Sequence, residues 1–172
     1  MHDSSTNAWK GLAAGLAGGL AATLVMTQFQ ELSAKLEKKL EESQGDGGEK
    51  GQKKGEDATV KAASKVSRNV FHHPLTPGEK KTAGPAVHYG FGTLTGAAYG
   101  VLAELVPGVT RGAGAPFGTA LWVGADEIAV PAFGLSGPPW ESPPAVHVKA
   151  LAAHLVYGVA AEGVRRLVRR AL

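Results

Sequence analysis

Seven ionisable residues of this 172-residue chain stand inside or at the ends of apolar stretches: His88, Glu104, Asp126, Glu127, His147, His154 and Glu162. The sharpest case is "WVGADEIAVP" (122–131), with two adjacent acids in an oily segment. In lipid, an Asp at a helix centre costs roughly 2.5–3.5 kcal/mol. Such groups therefore pair, line a wet interior or carry protons and ions. Neighbouring helical residues point about 100° apart, so Asp126 and Glu127 are not expected to share one partner. His147 and His154 lie seven apart, and Gly158 and Glu162 continue their stripe. Two chemistries fit this set: an acid/histidine relay or ion site, and structural pairing that fixes helix register. No HxxxH or ExxH spacing is present, so no metal ligand set is read and no cofactor is implied. The chain has no Cys, which removes thiolate chemistry.

The elements that carry these residues are apolar and rich in small side chains. Gly is 24 of 172 residues, against a usual share of about 7%. Residues 8–30 form a first apolar run with Trp9 and Lys10 at its edge, as interfacial anchors stand. About 20 helical residues span a bilayer core. The run is long for a secretory leader, and no clear small-x-small cleavage site follows. Further apolar runs occupy 85–106, 115–135 and 145–164, the last ending in "RRLVRR". Pro107-Gly108, "RGAGAP" and "SGPPWESPP" break between them.

Gly11, Gly15 and Gly19 are spaced by four, and so are Gly92, Gly96 and Gly100. Small residues at this spacing make a flat face on which two helix backbones approach closely in lipid. In a soluble helix each Gly would cost about 1 kcal/mol relative to Ala. The pattern predicts an all-α, small polytopic membrane helix bundle of three to four hydrophobic segments with glycine-faced packing. It leaves a homo-oligomer open.

The polar part is segregated. Eleven of the 18 basic residues lie between positions 35 and 81. Residues 31–57 begin as a charged helical extension and end as a Gly/Lys/Glu linker. Residues 58–71 place Val60, Ala63, Val66 or Ser67, and Val70 on one side, with Lys61, Lys65 and Arg68 facing away. This helix could lie on anionic lipid headgroups or pack on the protein itself. "TPGE" (76–79) reads as a capping box with Pro in the first turn. The organisation is thus a tail and first transmembrane helix (1–30), a polar Lys-rich loop with linker and amphipathic helix (31–84), and a helical membrane region with a basic end (85–172). The basic loop lacks interleaved aromatics, which argues against nucleic acid.

Cytoplasmic loops are enriched in Lys and Arg. Four crossings put the Lys-rich loop and the Arg-rich end on opposite sides. Three crossings, with 115–135 dipping back, put them together. Four antiparallel crossings would set Asp126 level with His154, His88 near His147, and Glu104 near Arg165 or Arg166. Three would set His88 near Glu162, and Glu104 near His147 or Lys149.

"AELVP" (103–107), "VPAFGLSGPP" (130–139), "AAHLVYG" (152–158) and "AEGVRR" (161–166) occur in that order. This series resembles the YagU-like family of bacterial inner-membrane proteins of unknown function. The Lys-rich stretch 31–81 departs from that pattern. The resemblance implies a multi-pass location in the bacterial inner membrane and helical architecture, and it supplies no reaction. The expected function is a non-enzymatic integral membrane protein, structural or related to membrane stress. The alternative is a proton- or ion-conducting module using the acid/histidine cluster.

Overall fold

The structure is a computed structural model that describes residues 4–43, 56–106 and 108–172. Residues 1–3, the whole of 44–55 and Pro107 lie outside the described residues. Five helices carry the fold. α1 is Ser4–Ser43, α2 is Ala58–Val70 and α3 is Pro77–Leu105. α4 covers residues 115–132 and is composite: an α segment Ala115–Trp122, a π segment Val123–Ala129 and a last turn Val130–Ala132. α5 is Pro144–Ala171.

α1 is the spine. Its apolar run continues without a break into the charged extension, so the sequence boundary at residue 30 falls inside one 40-residue helix. α3 and α5 both pack on it. Gly11 sits on Gly100, Gly15 on Gly96 and Gly19 on Gly92, which makes α1 and α3 antiparallel. A Cβ on Gly11 would lie 2.5 Å from the Gly100 carbonyl oxygen, and one on Gly19 2.6 Å from that of Gly92. No other residue fits such an approach. α5 also runs against α1: Gly18 meets Ala161, Lys10 Nζ donates to the Leu172 carbonyl at 2.7 Å, and Lys149 pairs with Glu37 at the far end.

α4 runs antiparallel to α5, from Gly114 against Gly158, through Gly118 against His154, to Glu127 against His147. The chain therefore passes from the end where α3 finishes to the opposite end, and does not turn back. α4 lies beside α5 only up to Glu162. The descent from Leu105 is irregular, with positive φ at Gly108, Gly112, Ala113 and Gly114. Gly114 (φ +86°) is required twice over, since its backbone abuts Gly158.

The capping box is formed: Glu79 N–H donates to Thr76 Oγ1 (3.3 Å), and Thr76 N–H donates to Glu79 Oε2 (2.7 Å). These bonds, the Thr76 backbone first, hold the Glu79 carboxyl down to about 2. α3 then continues through Pro85, so the sequence boundary at residue 84 lies inside a helix.

The interior is made of small, aromatic and polar residues. Ala14, Ala22, Thr23, Met26, Ala97, Tyr99, Ala153, Tyr157 and Ala161 are buried. Leu12, Leu16, Leu20, Leu24, Phe91, Leu94, Leu102, Val148 and Val159 are exposed. α1 and α5 are the two helices, among the described residues, long and apolar enough to cross a membrane. α3 is long enough, but its Gly, Thr and His dilute its hydropathy.

Candidate functional site

The ionisable residues fall into two groups, one toward each end of the bundle. The first is built by α4 and α5. Pro131 has no N–H for the preceding turn and clashes with an α-helical carbonyl, so the turns before it open. Val130 N–H reaches back to the Ala125 carbonyl, five residues away, which is π geometry. Short π segments are frequent at functional sites. Here the segment aims both acids at α5. Asp126 Oδ2 lies 3.6 Å from His154 Nδ1, and Glu127 Oε1 lies 2.7 Å from His147 Nδ1. The adjacent acids meet different partners, two turns apart on the same helix.

Each histidine has a further contact. His154, almost wholly buried, donates from Nδ1 to the Ala150 carbonyl at 2.9 Å. That proton is therefore spent on the backbone, and Asp126 acts on the ring as a nearby charge. Both ring nitrogens of His147 face oxygens, Glu127 on one side and the Pro139 carbonyl (3.0 Å) on the other. A neutral ring donates to one of them and an imidazolium to both. His88 of α3 stands within electrostatic range of His154 and Asp126. It does not meet His147, which Glu127 has taken. His88 Nε2 and Trp122 Nε1 are buried and make no hydrogen bond among the described residues.

The second group lies where α1 begins and α5 ends. Glu162, 1% exposed, accepts from Arg165 in a two-point bond: Nε to Oε2 at 2.7 Å and Nη2 to Oε1 at 2.9 Å. Arg166 adds a third bond to the same carboxylate and donates to the Thr110 carbonyl at 3.3 Å. Glu104 of α3 accepts from Arg169 at 2.8 and 3.2 Å and lies 3.8 Å from Arg165. Arg169 also reaches Asn7 Oδ1 of α1 at 3.2 Å. Two carboxylates and three guanidiniums thus join α1, α3, α5 and the 108–114 connection. Glu104 meets Arg165 in this arrangement, and neither His147 nor Lys149. His88 does not meet Glu162.

Between the groups stands an aromatic layer. Tyr99 stacks on Phe117 with centroids 4.2 Å apart, and Phe117 leans on Tyr157 at 6.1 Å. Tyr157 donates to the Gly92 carbonyl (2.5 Å) and lies 3.1 Å from Thr95 Oγ1. Sequence reasoning missed this layer, as well as Arg169 and the seam of Gly114, Gly118 and Gly158. The spacing of four between Gly114 and Gly118 was a usable signal. Nothing in the sequence pointed to the aromatic stack. Among the described residues no group of three or more His, Asp or Glu is arranged to hold a metal ion.

A family model described as "Protein of unknown function (DUF1440)" matches residues 68–163, which is 96 of the 172 residues. The chain belongs to the DUF1440 family. The part matched by DUF1440 runs from the end of α2 into α5 and contains all seven ionisable candidates. Arg165, Arg166 and Arg169 fall just beyond the DUF1440 match. No curated protein and no solved structure matches this chain.

Proposed function

We propose that this DUF1440 protein is a multi-pass, non-enzymatic protein of a bacterial inner membrane, as its likeness to the YagU-like family suggests. Its role is structural or tied to membrane stress, and its glycine-faced helices make a rigid bundle within the bilayer. One observation carries this reading: the packing is inverted. Large aliphatic side chains point outward from α1, α3 and α5, while alanines, tyrosines and an Arg–Glu cluster fill the interior. In water that surface would be a large apolar liability. In lipid it is the ground state, and buried charges pair with one another.

The test is extraction and topology together. Membranes from expressing cells are washed with alkaline carbonate, and the protein is expected in the pellet. Its release into the wash would sink the integral reading. The absence of native Cys lets single cysteines report side. Gly51→Cys and Leu172→Cys are expected to label from opposite faces, because α1, α3, α4 and α5 alternate in direction. Labelling from one face would mean that 115–135 does not cross.

A second reading is favoured by one feature. Asp126 and His154 stand together, His88 lies within electrostatic range of both, and its buried Nε2 has no partner among the described residues. That suits a group that takes up and releases a proton or holds an ion. The Tyr99–Phe117 stack weighs against a continuous path, since among the described residues no hydrogen-bonded chain joins the two groups through it. Liposomes containing the protein separate the readings. A proton leak that disappears in Asp126→Asn and in His154→Ala supports conduction. An absent leak, or one that survives both changes, removes it.

A further inference from the structure

α2 lies outside the bundle and packs chiefly on α3, at the turns before Pro85. Ala63 and Ser67 are its buried contacts, and Val60 sits against Gly84, where a Cβ would come within 2.5 Å of Val60 Cγ2. Its C-terminal half is tied to the end of α4 by Lys65 Nζ, which donates to the Phe133 carbonyl at 2.6 Å. Ser67 Oγ donates to the His73 carbonyl at 2.6 Å and closes the turn into α3. α2 is therefore held in place, at the level where the apolar run of α3 begins.

The face it turns away from the protein has two edges. At 100° per residue, Lys61, Lys65 and Arg68 gather along one edge, and Ala62, Val66 and Val70 along the other. Val66, Val70 and Phe71 are 52%, 65% and 72% exposed, so no described part of the protein covers them. The sequence reading set Val60, Ala63, Val66 or Ser67, and Val70 on one side; in the structure α2 turns Val60, Ala63 and Ser67 to the protein, and Val66 and Val70 flank the outer face. Beside α2, Phe133 is 67% exposed, and at the same end of the bundle Trp140 is 84% exposed. A face directed at water would not alternate in this way. A basic edge beside an apolar edge, level with the end of a membrane run, is the pattern of a helix lying in the headgroup region.

We infer that α2 is an interfacial helix that binds anionic lipid headgroups. Lys61 and Arg68 contact the headgroups, while Val66, Val70 and Phe71 enter the upper acyl region. Charge complementarity selects this occupant: neither Lys61 nor Arg68 has an ion-pair partner among the described residues. Lys65, committed to the Phe133 carbonyl, serves to position the helix. The inference rests on the membrane reading above, and its test separates the two.

The full chain carrying Val70→Cys, labelled with an environment-sensitive fluorophore, is reconstituted into vesicles of phosphatidylcholine and into vesicles that also contain phosphatidylglycerol. Flotation reports insertion in both. Emission and quenching by neutral acrylamide report the surroundings of residue 70. The expected result is blue-shifted, protected emission in the anionic vesicles only, reversed by high salt. Each basic residue near an anionic surface contributes about a fivefold factor, so Lys61→Gln with Arg68→Gln weakens the association roughly 25-fold and restores quenching. Emission that is the same in both lipids overturns the inference. If it is wet in both, α2 does not touch lipid. If it is dry in both and depends on the protein-to-lipid ratio, a second copy covers the face. If it is dry in both whatever the ratio, the contact is apolar and the headgroup charge is irrelevant. A chain that fails to float defeats the membrane reading itself.

Discussion

The two charged groups are built from similar residues and finished differently. At the Arg end, Glu162 is wholly buried, and its oxygens are taken by Arg165 and Arg166 at hydrogen-bond distance. At the histidine end, Asp126 stops 3.6 Å short of His154, one nitrogen of His88 has no partner among the described residues, and the backbone that carries the acids is π-helical. Burial alone therefore says little about purpose. A saturated pair has nothing left to offer a proton or an ion and holds helices together. A group left short of partners keeps a capacity to bind.

The largest test of that contrast is stability. Glu162→Ala takes from the buried Arg165 its hydrogen-bonded partner and leaves only Glu104, at 3.8 Å, as counter-charge, and breaking a buried pair from one side costs about 3–5 kcal/mol. Asp126→Asn keeps the shape and loses only a loose ion pair, so a cost within about 0.5–1 kcal/mol is expected. Chemical unfolding of both variants in detergent compares them directly. Equal losses would mean that the histidine end is also structural.

The next test strikes the seam that carries both groups. A Cβ at Gly96 strikes Gly19 Cα, so Gly96→Leu forces α1 from α3 at a cost of about 1–3 kcal/mol or more. Gly90 has nothing within 4 Å of such an atom. Gly90→Ala is expected to be neutral or to stabilise by up to about 1 kcal/mol. Melting temperatures of the two variants should move in opposite directions or, at the least, by very different amounts.

A smaller effect belongs to the cap of α3, which holds α2 and the histidine end in register. Thr76→Ala should cost about 1 kcal/mol. The Glu79 carboxyl titrates at about 2 in the fold and at 4.5 ordinarily. Its contribution is therefore full above pH 4.5 and is lost as pH falls toward 2. A pH series of melting temperatures should show this acid limb in the native chain and a flatter one in Thr76→Ala.

The smallest effect sharpens the contrast at one turn. Pro131→Ala restores an N–H and lets α4 relax toward regular α geometry. Asp126 and Glu127 then rotate relative to α5, and the Glu127–His147 contact is expected to weaken with little change in stability. Histidine NMR shifts of residues 147 and 154 read this. Unchanged shifts would mean that packing, not Pro131, sets the π segment.

Much of the molecule was legible in the chain. The four-residue glycine spacing named the residues that lie between α1 and α3, because side-chain size along one helix is a local property. "TPGE" named the cap of α3 for the same reason, since every bond in it is made within four residues. "EGVRR" already held Glu162 within one turn of Arg165 and Arg166. The charged helical extension after residue 30 and the helix start at 76–79 were legible; that each forms one unbroken helix with the adjoining apolar run was not, because hydropathy changes there while the hydrogen-bond ladder does not. Nor was the partner of each isolated charge. His88 stands within electrostatic range of Asp126 and His154, both acids of 126–127 face α5, and Arg169 reaches Glu104. These pairings depend on how far one helix is shifted along another. A shift of one turn exchanges every partner without altering a single local preference. The sequence by itself determined which residues are helical, small or charged. The tertiary structure decided which charges meet, because that choice is made by backbone contacts between helices, such as Gly114 on Gly158 and Gly96 on Gly19.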